Sequence, residues 1–423
     1  MPDLQNFGDW PLYALSDIAH YHNGFAFKPK DWSEDGVRII RIEQLNNPDG
    51  PYDRFTGTYP SINHIDDGDL IFSWSATLKV LIWKHGSCVL NQHLFRVDEK
   101  EGFDKQYIYY ILDYHMDSLA GSSHGSTMKH IKRGELQKYR VPIPSPNKQK
   151  KIAIILQTID RAIAHTEALI EKYHQIKAGL MHDLFTRGIG ADGKLRPTRE
   201  EAPELYQESA IGWIPKEWEI KCLADACEWY SGGTPNRQNS FWWDGDLPWL
   251  SPKDMKSFDL SNTQEKVTRV AALSSSRIMP VNTVFIVIRG MILAHSFPVV
   301  YSNREFCFNQ DIKAIRGLGK LGNRFLAYWF VAHKDTFLKK TTESTHGTKR
   351  FDMKDIYNLH IGIPSDKEQG LFITKLDALS TKLEFENKSL VKLQKQKSGL
   401  MHDLLTGKVP VKVNPDEVDH ISN

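Results

Sequence analysis

Apolar residues at Ile152, Leu156, Ile159, Ile163, Ile170, Tyr173 and Leu180 fall alternately four and three residues apart, with Thr166 and Lys177 filling the two gaps. That spacing predicts a helix with a coiled-coil seam. The same register returns at Phe372, Leu376, Leu379, Leu383, Leu390, Leu393 and Leu400, broken at Glu386 and Lys397, so the offset is 220 (372 − 152). Each helix should run about 36 residues, roughly 55 Å at 1.5 Å per residue. Pro144-Ser145 and Pro364-Ser365 lead into them, and Gly188 and Gly407 stop them. Two seams in one register, each needing a partner, favour packing of the helices on each other over separate docking. Elsewhere, apolar runs between turn residues predict strands at Val37 to Ile42, Asp69 to Trp74, Val80 to Trp83, Val284 to Ile288 and Val299 to Tyr301. Tyr107 to Met116 and Arg324 to Lys334 predict helices, so the fold class is α+β, with strands prominent.

The 220-residue offset also superimposes Gly-Leu-Met-His-Asp-Leu at Gly179 to Leu184 on the same hexapeptide at Gly399 to Leu404. Ile143-Pro144-Ser145 then matches Ile363-Pro364-Ser365, Gln149 matches Gln369, and Lys172, Lys177 and Thr186 match Lys392, Lys397 and Thr406. A weaker correspondence pairs Asn91-Gln92 with Asn309-Gln310, and Trp10, Leu15, Asp17 and Gly24 with Trp218, Leu223, Asp225 and Gly232. The chain is therefore a tandem duplication: globular unit 1–145, helix 146–186, linker 187–211, globular unit 212–365, helix 366–407 and tail 408–423. The Gly-, Pro-, Asp- and Glu-rich linker leads from the end of the first helix straight into the second unit, as a surface segment. If the second helix runs back antiparallel, the two units are expected at opposite ends of a rod with an approximate twofold axis.

Composition narrows the class. The 423 residues are 40% hydrophobic and include 11 Trp and 20 Phe, enough for two cores of ordinary domain size. No apolar run reaches the length of a membrane span. The N-terminal Met1 to Asn6 has no basic region followed by an apolar stretch, which predicts no secretory signal. Cys88, Cys222, Cys227 and Cys307 make no CxxC pair or disulfide framework, so a reducing cytoplasm is the expected location. The net charge of +2 hides local asymmetry. Lys129, Lys132, Arg133, Lys138 and Arg140 cluster against Glu135, and Lys339, Lys340, Lys349, Arg350 and Lys354 against Glu343 and Asp352.

Catalytic motifs are not visible. The chain has neither an Asn-Pro-Pro-Tyr nor an Asp-Pro-Pro-Tyr tetrapeptide of the sort that holds an adenine amino group, and no GxGxxG after a strand. Gly188 to Lys194 has phosphate-loop spacing but continues into Leu195 and lies between helix and linker, where no cradle forms. The 17 histidines show no zinc spacing, and His182-Asp183 and His402-Asp403 read as packing and capping residues of the repeat. Binding chemistry is better represented. Small polar turns at His124-Gly125-Ser126-Thr127 and His346-Gly347-Thr348-Lys349 allow close backbone approach beside phosphate-neutralising cations. A further turn, Ser231 to Asn239, carries donors and acceptors able to read base edges. Trp74, Trp242, Trp243 and Trp249 read as core or turn packing, with nucleic-acid stacking as the alternative.

Taken in order, the paired Ile-Pro-Ser…Gln helix starts, the terminal Lys-x-Gly-Leu-Met-His-Asp-Leu, Ile211 to Glu219, Gly232-Gly233-Thr234-Pro235 and the two Asn-Gln pairs resemble the specificity subunit of type I restriction-modification systems, HsdS. The resemblance covers nearly the whole chain. It implies two mixed α/β target recognition domains separated by a long antiparallel two-helix coiled coil, with a pseudo-twofold internal repeat. The helices would be the central and distal conserved regions of that family. It implies one domain per half of a bipartite, asymmetric DNA target, and no catalysis in this chain. Two methyltransferase (HsdM) subunits using S-adenosylmethionine, and two restriction-translocase (HsdR) subunits using ATP and Mg, are the implied partners. Where the second unit has Gly-Gly-Thr-Pro, the first has Gly24-Phe25-Ala26-Phe27-Lys28-Pro29, so contacts there rest on chemistry alone. The candidate DNA contacts are Lys28, Lys30, Ser126 and Lys129 in the first unit, and Thr234, Asn236, Arg237, Thr348, Lys349 and Arg350 in the second. Three alternatives stay open: a modification-only or related phage-defence complex, a self-sufficient DNA methyltransferase or nuclease, and a purely structural coiled-coil connector.

Overall fold

The computed structural model describes residues 10–121, 131, 133–343 and 348–413, so Ser126 and Lys129 lie outside the described residues. Its contacts divide the chain into two compact units, the described parts of Met1–Ala168 with Asn387–Asn423, and Leu169–Glu386. Four longer helices organise them: α1 (Lys105–Gly121), α2 (Pro146–Thr186), α3 (Asn323–Ala332) and α4 (Asp366–Leu405). No helix among the described residues is long and apolar enough to cross a membrane, and all four cysteines are free.

The two units repeat one architecture. In the first, Ala19–Asn23, Leu94–Glu99, Leu70–Ser73 and Lys79–Ile82 form an antiparallel sheet in that order. A second sheet orders Arg54–Phe55, Val37–Ile40, Cys88–Leu90 and His64–Ile65, with Ile39 and Val89 paired in parallel. In the second unit Cys227–Ser231, Ile312–Gly317, Val284–Val287 and Val299–Ser302 form the corresponding sheet, which gains Asp259–Leu260 as a fifth strand. Glu265–Val267, Leu247–Leu250 and Cys307–Phe308 make the other, again with a parallel pair, Trp249 and Cys307. The five apolar runs expected as strands coincide with Val37–Ile40, Leu70–Ser73, Lys79–Ile82, Val284–Val287 and Val299–Ser302 to within two residues at their ends; the other strands were not expected from the sequence. The expected strand Val37 to Ile42 stops at Ile40, because the chain turns into a short helix over Ile42–Asn46.

Helices α2 and α4 run 41 and 40 residues, longer than the heptad pattern alone predicts. The extra length is N-terminal, where Pro146 is tolerated in a first turn. Gly188 (φ +68°) and Gly407 (φ +71°) follow their ends in the left-handed conformation that stops a helix at little cost to glycine. Within the second unit the helix segments pair antiparallel: Lys177 Nζ donates to Ser380 Oγ at 2.7 Å, and Lys382 lies over the Tyr173 ring. Within the first, Lys397 pairs with Asp160 at 2.8 Å, while Met401, Leu404 and Leu405 share a core with Ile152 and Leu156. The seam interruptions Lys177 and Lys397 are thus polar crosslinks. Thr166 satisfies itself by bonding Ala162 O at 2.8 Å.

The repeated hexapeptide is a docking plug. Met181, Leu184 and Phe185 are buried in the core of the second unit, and Met401, Leu404 and Leu405 in that of the first. His402 Nδ1 meets Tyr114 OH at 2.9 Å, so the His-Asp motif belongs to packing, as its helical setting implies. The repeated glutamine joins helix to sheet domain. Gln149 bonds Pro144 O and Asp104 N at 2.9 Å, and Gln369 bonds Pro364 O at 2.9 Å, Lys320 O at 2.9 Å and Gly322 N at 3.0 Å.

The linker is held rather than loosely laid on the surface. Its Arg196, 7% exposed, donates to Glu368 Oε1 at 2.6 Å and to Glu217 Oε2 at 2.7 Å. Glu368 also accepts from Ile189 N and Trp218 Nε1. Gly188 to Lys194 closes as a tight hairpin through Gly190 N to Lys194 O at 2.8 Å.

Candidate nucleic-acid interface

The site of the second unit is built around the turn Asn309-Gln310-Asp311, which joins Cys307–Phe308 to Ile312–Gly317. Asn309 is buried, and its amide N donates to Leu250 O at 3.0 Å. Its side chain accepts from Asp311 N at 3.1 Å, the local bond that suits asparagine to turns, and donates to Asp311 Oδ2 at 3.2 Å. Gly232 and Gly233 run against this turn, with Gly233 N bonded to Phe308 O at 2.9 Å. A Cβ on Gly232 would lie 2.2 Å from Phe308 O and one on Gly233 1.9 Å from Ser275 O, so close backbone approach dictates both glycines.

The next residues project from this anchored point. Thr234 Oγ1 donates to Gln310 Oε1 at 2.7 Å. Asn236 turns back on itself, its Oδ1 accepting from Gln238 N at 2.9 Å and its carbonyl from Trp243 Nε1 at 3.2 Å. The Arg237 guanidinium stacks 3.6 Å above Trp243 and 5.0 Å from Trp249, and pairs both nitrogens with the Glu265 carboxylate. That pairing holds the Glu265 carboxyl below its usual range. Trp249 Nε1 in turn donates to Gly233 O at 3.0 Å. Trp243 and Trp249 are therefore the scaffold of the loop, and Arg237 is committed to it.

Lys349 and Arg350 lie on another element, joined to this turn through residues 288–290. Thr341–Glu343 pairs antiparallel with Lys349–Phe351, and Lys349 Nζ donates to Glu343 Oε2 at 2.9 Å. Phe351 N bonds Ile288 O at 3.0 Å and Gly290 N bonds Lys349 O at 2.9 Å, while Ile288 N bonds Asp311 O at 2.8 Å. Arg289, between them, pairs with Asp311. Thr234 thus meets Gln310 directly, Lys349 and Arg350 connect to Asp311 only through Ile288, Arg289 and Gly290, Thr348 precedes their strand, and Asn236 and Arg237 occupy the loop after Thr234. Sequence reasoning did not identify Gln310, Arg289 or Asp311 as partners; the repeated Asn-Gln was the available signal.

The first unit uses the same frame with other side chains. Gly24 packs as Gly232 does, its Cβ position 2.2 Å from Asn91 O, and Phe25 N bonds Leu90 O at 2.7 Å. Phe25 and Phe27 then bury against Phe55, which is why phenylalanines stand where the other copy has glycine and proline. Lys28 and Lys30 are exposed on the segment that follows, where Lys28 N bonds Asp31 Oδ2 at 2.7 Å. Nearby, Arg41 stacks 4.3 Å over Trp32 and pairs with Asp53 at 2.6 Å, an arginine–indole–carboxylate group like that of Arg237. Ile131 N bonds Trp74 O at 2.9 Å, the bond that Phe351 makes to Ile288 in the other copy.

Among the described residues no group of three or more His, Cys, Asp or Glu side chains could hold a metal ion. Two copies of one frame, each with a glycine-led segment packed against an Asn-Gln turn, make a duplicated module. The chain belongs to the type I restriction modification DNA specificity domain family, whose pattern matches residues 8–174 and 215–395. It is 25% identical over 281 residues to the Escherichia coli EcoR124I/EcoR124II specificity subunit, covering 65% of this chain and 63% of that one. It is 22% identical over 425 residues to the MjaVIII specificity subunit of Methanocaldococcus jannaschii, covering 96% of this chain and 94% of that one. The crystal structure of a type I restriction-modification S subunit from M. genitalium superimposes with a TM-score of 0.60 at 13% identity, over 98% of this chain and 100% of that one.

Proposed function

We propose that this chain, as a type I specificity subunit, reads a bipartite and asymmetric DNA target, with residues 1–145 reading one half-site and 212–365 the other. Helices 146–186 and 366–407 then form the paired connection, with 187–211 the linker and 408–423 the tail. The observation that carries this is one backbone frame built twice with different side chains: Gly232-Gly233-Thr234-Pro235 and Asp311 in one copy, Gly24-Phe25-Ala26-Phe27 and His93 in the other. Equal frames support equal tasks, and unequal contact residues support unequal half-sites. Lys28, Lys30, Ser126, Lys129, Thr348, Lys349 and Arg350 serve as phosphate or groove contacts. Thr234, Asn236 and Arg237 contact the DNA, Arg237 also bracing their loop through Glu265 and Trp243.

Chemistry is left to partners. Two methyltransferase subunits supply adenine methylation from S-adenosylmethionine, two restriction-translocase subunits join them, and the complex works in the cytoplasm. The test is a domain exchange: residues 1–145 are replaced by those of another specificity subunit, and methylated adenines are mapped in cells carrying the complex. One half of the recognised sequence should change while the other stays. A target altered in both halves, or methylation by the purified chain without partners, would overturn the reading.

A further inference from the structure

We infer that Arg289 is a specificity-determining group of the second unit, aimed at the paired acceptors of a guanine edge, and that Asp311 is its positioning residue. The inference rests on the reading of the chain as a DNA-specificity subunit. Arg289 Nε and Nη2 both meet Asp311 Oδ1, at 2.7 Å and 2.6 Å. A guanidinium has five N–H donors in a rigid fork. With the Nε edge spent on the carboxylate, the donors of the outer edge remain, and those match either the O6 and N7 acceptors of guanine or two phosphate oxygens.

Four features favour the base. The Arg289 side chain is 50% exposed and that of Asp311 26%, so the pair stands at the surface with its outer edge open to a ligand. The backbone is fixed on both sides of Arg289, by Ile288 N to Asp311 O and by Gly290 N to Lys349 O, and Gly290 has φ +144°, a conformation suited to glycine. Asp311 is itself held by the buried Asn309 through both its amide N and its carboxylate. Most tellingly, the carboxylate cancels the arginine charge. A neutralised pair is a poor phosphate clamp, yet keeps the directional donors that a neutral base edge needs, whereas Arg350 beside it has no carboxylate partner among the described residues.

Strand register identifies the counterparts. Val287 pairs with Ile312 as Ser73 pairs with Leu94, so Arg289 and Asp311 correspond to Ser75 and His93. The first unit therefore lacks this fork, and the effect should be confined to one half-site.

The experiment selects bound sequences from a randomised DNA library with the full chain in complex with its methyltransferase partner. Wild type is compared with Arg289→Lys, Arg289→Gln, Asp311→Asn and the double variant Arg289→Gln/Asp311→Asn, which leaves net charge unchanged. Guanine preference at one position of the second half-site should fall roughly 10- to 100-fold in Arg289→Gln, Arg289→Lys and the double variant, as expected for loss of a bidentate pair. Asp311→Asn should weaken the same position. The first half-site, unchanged throughout, reports that each variant is folded. The double variant should keep the wild-type salt dependence; a slope reduced by about 0.9 with base preference intact would mark a phosphate contact and overturn the inference. A wild-type complex that selects no sequence would instead overturn the DNA-specificity reading itself.

Discussion

Replacing Glu368 by Gln tests the polar clasp that ties the linker to the second unit. The carboxylate is 6% exposed and accepts from Ile189 N at 2.7 Å, from Arg196 Nη1 at 2.6 Å and Nη2 at 3.2 Å, and from Trp218 Nε1 at 3.2 Å. Glutamine keeps the shape, but removes the charge opposite a buried guanidinium and turns one acceptor into a donor facing donors. Breaking one side of a buried pair costs about 3–5 kcal/mol. Glu217 remains to Arg196, yet its side chain is 78% exposed and works largely in water, so the lower part of that range is expected. Glu368→Leu with Arg196→Met should be markedly more stable than Glu368→Gln, because both charges then leave together. Urea unfolding of the full chain, read by hydrogen exchange at amides of the second unit, measures all three. A loss below about 1 kcal/mol in Glu368→Gln, or a double variant as unstable as the single one, would refute the reasoning. The position matching Glu368 in the other copy is Lys148, whose replacement should cost within about 0.5 kcal/mol.

Other outcomes follow from particular contacts. Gly232→Ala places a Cβ 2.2 Å from Phe308 O, so the loop 232–239 must shift. DNA selectivity of the second half-site should drop while the first is kept, and equal loss at both would contradict the assignment. Leu405→Ala empties a site 1% exposed and should destabilise the first unit by about 2–5 kcal/mol, with second-unit hydrogen exchange unchanged. Burial lowers the His115 imidazole from 6.5 to about 4, where its Nδ1 lies 3.0 Å from Tyr139 OH. The folded state thus prefers the neutral ring. Stability is full above about pH 6.5 and falls as the pH drops towards 4, by on the order of 3 kcal/mol in the limit. His115→Phe should flatten that slope in urea midpoints measured between these pH values; an unchanged slope would discount the group.

The helices were legible because a heptad seam is periodic, and periodicity survives in a single sequence. Even its interruptions carried information, since Lys177 and Lys397 sit at one register and each finds a polar partner across the pair. The hexapeptide was readable as packing from its helical spacing. That each copy plugs the core of a different unit was not, because burial partners far apart in the chain leave no local trace. The same limit applied to the site. Gly232-Gly233 announced a close approach, yet only the fold brings Thr234 to Gln310 and Lys349 to Gly290, across 76 residues in the first case. Arg289 drew no notice in the sequence, because nothing local shows that Asp311, 22 residues on, pairs with it. The linker is largely the surface segment that its Gly, Pro and acidic residues signal, but they gave no sign that Arg196 is buried by a partner 172 residues away.

The plug formed by Met401, Leu404 and Leu405 has a consequence for the order in which the protein is made. These residues complete a core whose other members begin at Leu15. The first recognition domain to leave the ribosome must therefore wait, with an apolar cleft uncovered, until Leu405 has been translated. The second core, with every member between Met181 and Leu376, can close earlier. The half synthesised first is finished last, and a chain truncated before residue 400 would release a completed second domain beside a first one still open.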